Sequence, residues 1–178
     1  DSNDSDTLIS IENAIGGSLG DIITGSTDIN SLEGGAGNDT FISSLGNDFI
    51  YGDTGTEDLV DFSLIQASIT GVNTNGFHNT VDLNSTHKAL FFTGAGGGTD
   101  NATNLYDIEN VKGTNLTDYI KGEDIVGYGN TLDGGAGNDS IEGLAGNDFL
   151  IGGDGADTIE GGLGNDIMYG GSWNGTTH

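Results

Sequence analysis

The chain has 178 residues, among them 34 Gly but no Pro and no Cys, and 28 acidic side chains stand against 3 Lys, for a net charge of −25. That charge excludes nucleic acid as a partner, because phosphate binding needs a basic footprint, and an anionic membrane surface would repel it. Disulfides are excluded, and no run is long and apolar enough for membrane insertion, so a chain this short of core needs another staple.

The chain opens on Asp1-Ser2-Asn3-Asp4-Ser5-Asp6, with neither the basic n-region nor the apolar h-region of a secretory leader. A repeat is entered mid-unit at Asp6-Thr7-Leu8, as expected of a piece cut from a longer array. From residue 16 the sequence reads in nines. Residues 16–24 carry Asp21 and Ile23; residues 25–33 carry Asn30 where Asp is expected, with Leu32 as the apolar residue. Residues 34–42 are a full row: Gly34, Gly35, Ala36 and Gly37 in the turn, Asp39 at the sixth place and Phe41 at the eighth. Residues 43–51 have lost the leading glycines but keep Gly46, Asp48 and Ile50. Residues 52–58 close the block with one extra residue, leaving Glu57 or Asp58 as the acidic position.

Residues 59–111 lose this period and read as short strands. Alternation over 59–64 and 80–84 suggests half-buried strands; 67–72, 88–93 and 105–111 are further candidates, and 73–79 and 94–100 read as turns or loops. Phe62, Phe77, Phe91, Phe92 and Tyr106 concentrate aromatics here. The segment is expected to be a hydrophobic connector or cap over exposed strand edges; a carbohydrate- or protein-binding face is the alternative.

The second block opens at Gly113 with Asp118 and passes a degenerate row ending at Asn130. Four unbroken rows follow over residues 134–169. Their turns are Gly134-Gly135-Ala136-Gly137, Gly143-Leu144-Ala145-Gly146, Gly152-Gly153-Asp154-Gly155 and Gly161-Gly162-Leu163-Gly164. Their acids are Asp139, Asp148, Asp157 and Asp166, and their apolar residues are Ile141, Leu150, Ile159 and Met168. The second block repeats the first: Leu8, Ile11, Glu12, Asn13, Asp21 and Ile23 match Leu105, Ile108, Glu109, Asn110, Asp118 and Ile120, each 97 residues on.

The physics of one row points to a metal. Glycines permit positive φ and a tight turn with bare carbonyls. The Asp adds a hard, charged oxygen, and the last three residues form a short strand whose middle side chain points inward. Ca²⁺ takes about 6–8 oxygens at roughly 2.3–2.6 Å; two adjacent rows can supply these and one cannot. A flexible Gly/Asn/Asp-rich linker is the competing reading, but low complexity does not hold Asp and a bulky apolar residue in fixed phase.

The rows at 34–42 and 134–169 carry the G-G-x-G-x-D-x-U-x nonapeptide. The chain therefore resembles the calcium-binding β-roll segments of RTX proteins, the hemolysin-type repeats exported by type I secretion. With the lead-ins at 8–25 and 105–122 the resemblance covers nearly the whole chain. It implies an all-β fold: two right-handed parallel β-rolls joined by a short-stranded β connector. The divisions would be a first block with its lead-in (1–58), a connector or capping segment (59–112) and a second block (113–178).

The resemblance also implies that row n stacks on row n+2. Calcium would then lie between Asp21 and Asp39, Asn30 and Asp48, Asp39 and Asp58 (or Glu57), Asp118 and Asp139, Asn130 and Asp148, Asp139 and Asp157, and Asp148 and Asp166. Carbonyls of the first four turn positions would complete each shell, for about five to seven ions in all. The pairs containing Asn have one charge fewer. The implied function is a non-catalytic, secreted, extracellular or surface module that folds on Ca²⁺, works with the type I secretion machinery and serves a larger adhesin, toxin or hydrolase. It is expected to be a monomer. The alternative is a carbohydrate-binding accessory module of a polysaccharide-modifying enzyme.

No acid/base constellation supports an enzyme. Gly16-Gly17-Ser18-Leu19-Gly20 fits G-x-S-x-G but sits in a repeat row, without the strand-turn-helix context that motif needs. His78, His87 and His178 are too scattered for zinc, and Trp173 is expected to cap the last row.

Overall fold

A computed structural model describes residues 7–43, 45–65, 79–84, 88–91 and 101–171. The candidate strand at 67–72, the loop at 94–100, the three histidines and Trp173 lie outside the described residues. The chain is an all-β parallel solenoid of about 7 turns.

Each row contributes a strand of three to six residues, and successive rows alternate between two sheets. The first sheet stacks β1 (Thr7–Ile11), β3 (Ile22–Gly25), β5 (Thr40–Ile42), β7 (Leu59–Asp61), β11 (Asn110–Lys112), β13 (Thr131–Asp133), β15 (Phe149–Ile151) and β17 (Ile167–Tyr169). All its neighbours pair parallel. In the second sheet β2 (Asn13–Ile15), β4 (Ser31–Glu33), β6 (Phe49–Tyr51) and β10 (Asn101–Tyr106) pair parallel in turn. So do β8 (Asn79–Asp82), β12 (Asp118–Lys121), β14 (Ser140–Ala145) and β16 (Thr158–Leu163). Between those runs β9 (Lys88–Phe91) pairs antiparallel with both β8 and β10.

In the three-residue strands from β2 to β15 the middle residue faces the space between the sheets. Ile23, Phe41, Val60, Val111, Leu132 and Leu150 form one continuous ladder, each in register with the next. All six are at most 1% exposed. Across from them, Leu32, Ile50, Leu105, Val81, Ile120 and Ile141 are buried to the same degree. The ladder fades at the last turn, where Met168 is 52% exposed.

The segment between the blocks is built into the same stack. β7 and β11 are direct neighbours, with Val60 opposite Val111. The strand expected over 105–111 is two strands in different sheets. Asp107 turns between them at φ 52, and Ile108 and Val111 are both buried. Odd-numbered strands lie in the first sheet and even-numbered ones in the second on both sides of the connector, with only β9 departing, and β3 and its counterpart β12 are nine strands apart, an odd number. Asp21 and Ile23 therefore lead into the first sheet, while their sequence counterparts Asp118 and Ile120 lie in the second. The two blocks repeat in sequence but are phased oppositely around the stack.

Candidate metal centre

The acidic position of each row immediately precedes or begins its strand, so stacking the strands stacks the acids. Along the first sheet the column runs Asp21, Asp39, Asp58, Glu109, Asn130, Asp148 and Asp166; along the second it includes Asn30 and Asp48, then Asp118, Asp139 and Asp157. One contact recurs at seven of these positions: the backbone N–H donates to a side-chain oxygen in the next row of the same sheet. Asp21 donates to Asp39 Oδ1 at 2.8 Å, Asn30 to Asp48 Oδ1 at 2.9 Å and Asp39 to Asp58 Oδ1 at 2.7 Å. Asp118 donates to Asp139 Oδ1 and Asn130 to Asp148 Oδ1, both at 2.8 Å. Asp139 donates to Asp157 Oδ1 and Asp148 to Asp166 Oδ1, both at 3.0 Å. These are the seven row pairs anticipated from the repeat. At the ambiguous row Asp58 stands in the column, and Glu57 instead accepts a hydrogen bond from Asn38 Nδ2 at 3.1 Å.

The second carboxylate oxygen tests whether this column fits a cation. In Asp39, Asp58, Asp139, Asp148 and Asp157, Oδ2 is buried without a hydrogen-bond partner. A buried anionic oxygen left unpaired is costly, and a cation of oxygen-ligand chemistry removes that cost. Carbonyls approach the same places. A Cβ on Gly143 would lie 2.5 Å from both Asp148 Oδ2 and the Gly161 carbonyl. One on Gly134 would lie 2.5 Å from Asp139 Oδ2 and 2.6 Å from the Gly152 carbonyl. First-position glycine is thus required by the convergence of a carboxylate and the carbonyl of the next stacked row. Among the described residues no three or more His, Asp or Glu side chains gather into a metal cage, so carbonyls must complete any shell. The residues present fit Ca²⁺.

Some turn carbonyls are already engaged. Gly35 accepts from Thr54 N–H at 2.9 Å, Gly135 from Asp154 N–H at 2.9 Å and Asp154 from Gly137 N–H at 2.7 Å. Ala36 and Ala136 form parallel bridges with Thr54 and Asp154. Leu144 and Ala145 extend β14, paired with Gly162 and Leu163. Gly146 N–H donates to the Leu163 carbonyl at 2.9 Å. Gly153, Gly155 and Gly164 all hold positive φ. Gly37 also has positive φ, while Gly46 abuts Asp48 Oδ1 at 2.5 Å from its Cβ direction.

The degenerate rows differ. Asp118 has its oxygens occupied by Thr114, whose N–H donates at 2.6 Å and whose hydroxyl sits 3.0 Å from both. Asn130 is consumed by the protein: its Oδ1 accepts from Glu123 N–H at 2.8 Å and its Nδ2 donates to the Glu109 carbonyl at 2.7 Å. Asn30 keeps a buried, unpartnered Oδ1, so the two asparagines are not equivalent.

Burial raises the carboxylates' affinity for protons, because a charged form loses solvation there. Asp48 is pushed up to about 6. Asp139 is pushed up to about 7 by burial, with the charges of Asp157 and Asp133 adding to it. Asp58 likewise reaches about 7 through burial and then the charges of Glu109, Asp39 and Asp107. Asp39 and Asp148 move the same way, and Asp118 rises well above the usual carboxylate range. Carboxylates raised in this way would give up protons to any divalent cation that bound them.

Two features escape the repeat reading. Glu109 lies outside the nonapeptide rows yet fills the column, accepting from Asp58 N–H at 2.9 Å through Oε2. Fifth-position asparagines form a second ladder: Asn138 Oδ1 accepts from Ala156 N–H and Asn147 Oδ1 from Asn165 N–H, both at 2.9 Å. The recurring Asn-Asp dipeptides at 38–39, 47–48, 138–139, 147–148 and 165–166 are the sequence signal for that ladder.

No curated protein matches the chain. The model of the RTX calcium-binding nonapeptide repeat matches in four copies, over residues 15–50, 40–59, 126–158 and 142–174. Together these cover just over half of the sequence, and they fall on the rows whose Asp columns are described above. This chain belongs to the RTX calcium-binding repeat family.

Proposed function

We propose that this chain is a non-catalytic module that folds when extracellular Ca²⁺ is bound and thereby supports type I export and the stability of a larger secreted protein. One observation carries the reading: five of the column aspartates, Asp39, Asp58, Asp139, Asp148 and Asp157, bury a second carboxylate oxygen with no hydrogen-bond partner. In the absence of a cation, stacked carboxylates repel and a Gly-rich backbone is costly to order. Bound calcium supplies the charge neutralisation, so binding free energy becomes folding free energy. In a low-calcium cytosol the chain stays extended enough to be threaded out, and it folds on reaching millimolar calcium.

The ligands in this reading are the column acids with the turn carbonyls of residues 34–37, 134–137, 143–146, 152–155 and 161–164, for about five to seven ions. The module acts as a monomer and divides into blocks 1–58 and 113–178 with a connector between. Calorimetric calcium titration with parallel circular dichroism tests this. Cooperative uptake of several ions with a coil-to-β transition is expected. At pH 8, a calcium-free spectrum already rich in β-structure, or uptake without folding, would overturn it.

A further inference from the structure

The family match ends at residue 59 and resumes at 126, yet the acidic column does not break there. Asp58 is 0% exposed and its Oδ2 has no hydrogen-bond partner. In the strict rows that oxygen faces the first-position carbonyl of the next stacked row. Here the next stacked segment is the non-repeat turn between β10 and β11. A Cβ on Gly52 would run into the Asp107 carbonyl and would lie 2.6 Å from Asp58 Oδ2. The Asp107 carbonyl therefore stands where a row's first glycine carbonyl stands. Glu109 is opposite Asp58 and takes its N–H at 2.9 Å, as the next column Asp does elsewhere.

The turn is short. It reaches the acidic position in three residues, Asp107 to Glu109, where a strict row such as Gly134 to Asp139 takes six. Carbonyls are lost from that side, and the longer Glu side chain compensates by reaching across the gap. Asp107 adopts φ 52, a conformation that row turns assign mostly to glycine, and this aims its carbonyl back at Gly52.

We infer that Asp58 Oδ2, the Asp107 carbonyl and the Glu109 carboxylate hold a Ca²⁺ ion outside the nonapeptide rows, bridging the first block to the segment that follows it. This rests on the reading that the column binds calcium. Its consequence is that folding cooperativity passes through the junction instead of stopping at residue 58.

The test compares the full chain with Glu109→Gln, which keeps an oxygen for the Asp58 N–H and removes the charge. Calorimetry with calcium alone should show one ion fewer, with the calcium-induced β-signal retained. A second measurement uses terbium luminescence. Tyr106 adjoins Asp107 and stacks on Tyr51 at 4.8 Å, so Tyr106→Phe with Tyr51→Phe should lower sensitised emission from this site while calcium stoichiometry is unchanged. If the parent chain takes up several ions and Glu109→Gln takes up the same number at the same midpoint, the junction site is overturned alone. If the parent chain takes up none, the earlier reading falls with it. Should Glu109→Gln fail to fold, terbium emission that is indifferent to both tyrosines overturns the site, and a drop sustains it.

Discussion

The backbone N–H of Asp139 donates to Asp157 Oδ1 at 3.0 Å, while Oδ2 of both carboxylates is buried and unpartnered. One oxygen thus fixes the row spacing and the other is left for a cation. The two roles separate by mutation. Asp157→Asn preserves an acceptor for the Asp139 N–H and removes a charged oxygen. It should weaken calcium uptake by roughly tenfold or more, the scale of a lost charge-assisted contact. Asp157→Ala removes both and should also lower the melting temperature of the calcium-loaded chain below that of Asp157→Asn. Equal calcium titrations for wild type and Asp157→Asn would count against the column as the binding element.

The raised carboxylates make the calcium-free and calcium-loaded chains respond oppositely to pH. With folded values near 7 for Asp139 and Asp58 and unfolded values near ~3.9, the folded metal-free chain holds more protons between those limits. Its stability is therefore greatest at acid pH and declines as pH rises through about 7. Calcium competes with those same protons, so affinity should rise over that window and binding should release protons. Circular dichroism in chelator at pH 5 and pH 8 checks the first half, and titrations in buffers of different ionisation enthalpy check the second. More β-structure at pH 8 than at pH 5 without metal would contradict the assignment.

Much of this was legible from residues 134–169, where Asp and apolar residues hold fixed places and the parallel stack follows from them. The Asp58–Glu57 ambiguity was not resolvable by spacing, because the inserted residue could be absorbed on either side; burial of Asp58 against the Glu109 turn decides it. Glu109 itself was invisible to the nonapeptide pattern, since its turn is three residues short and its side chain makes up the distance. The opposite phasing of the two blocks was equally hidden. It follows from the odd number of strands, nine, that separate β3 from its counterpart β12, and the connector strands that set this count carry no nonapeptide period.

The inward ladder offers a test of stability apart from ligation. Leu150 is 0% exposed and packs between Leu132 and Met168 in register. Leu150→Ala should cost the calcium-loaded chain about 2–5 kcal/mol, the usual range for a fully buried Leu. Met168, half-exposed at the last turn, should cost well below ~2 kcal/mol on the same change. Both variants should bind the same number of ions as wild type at saturating calcium. A Met168→Ala loss as large as that of Leu150→Ala would mean that the last turn is packed in solution.

Turn glycines should divide by what lies above them. Gly155 has φ 142, and a Cβ there would run into the Gly137 carbonyl oxygen, with the carbonyl carbon at 2.6 Å. Both atoms are backbone of a stacked row and cannot rotate away. Gly155→Ala should therefore destabilise the loaded chain by more than about 1 kcal/mol and weaken calcium uptake, because separating the rows moves Asp157 from Asp139. Gly170 has open space in the same direction, so Gly170→Ala should leave both melting and titration unchanged. Thermal melts of the two variants at fixed calcium make the comparison, and equal midpoints would remove close row stacking as the reason for glycine in these turns.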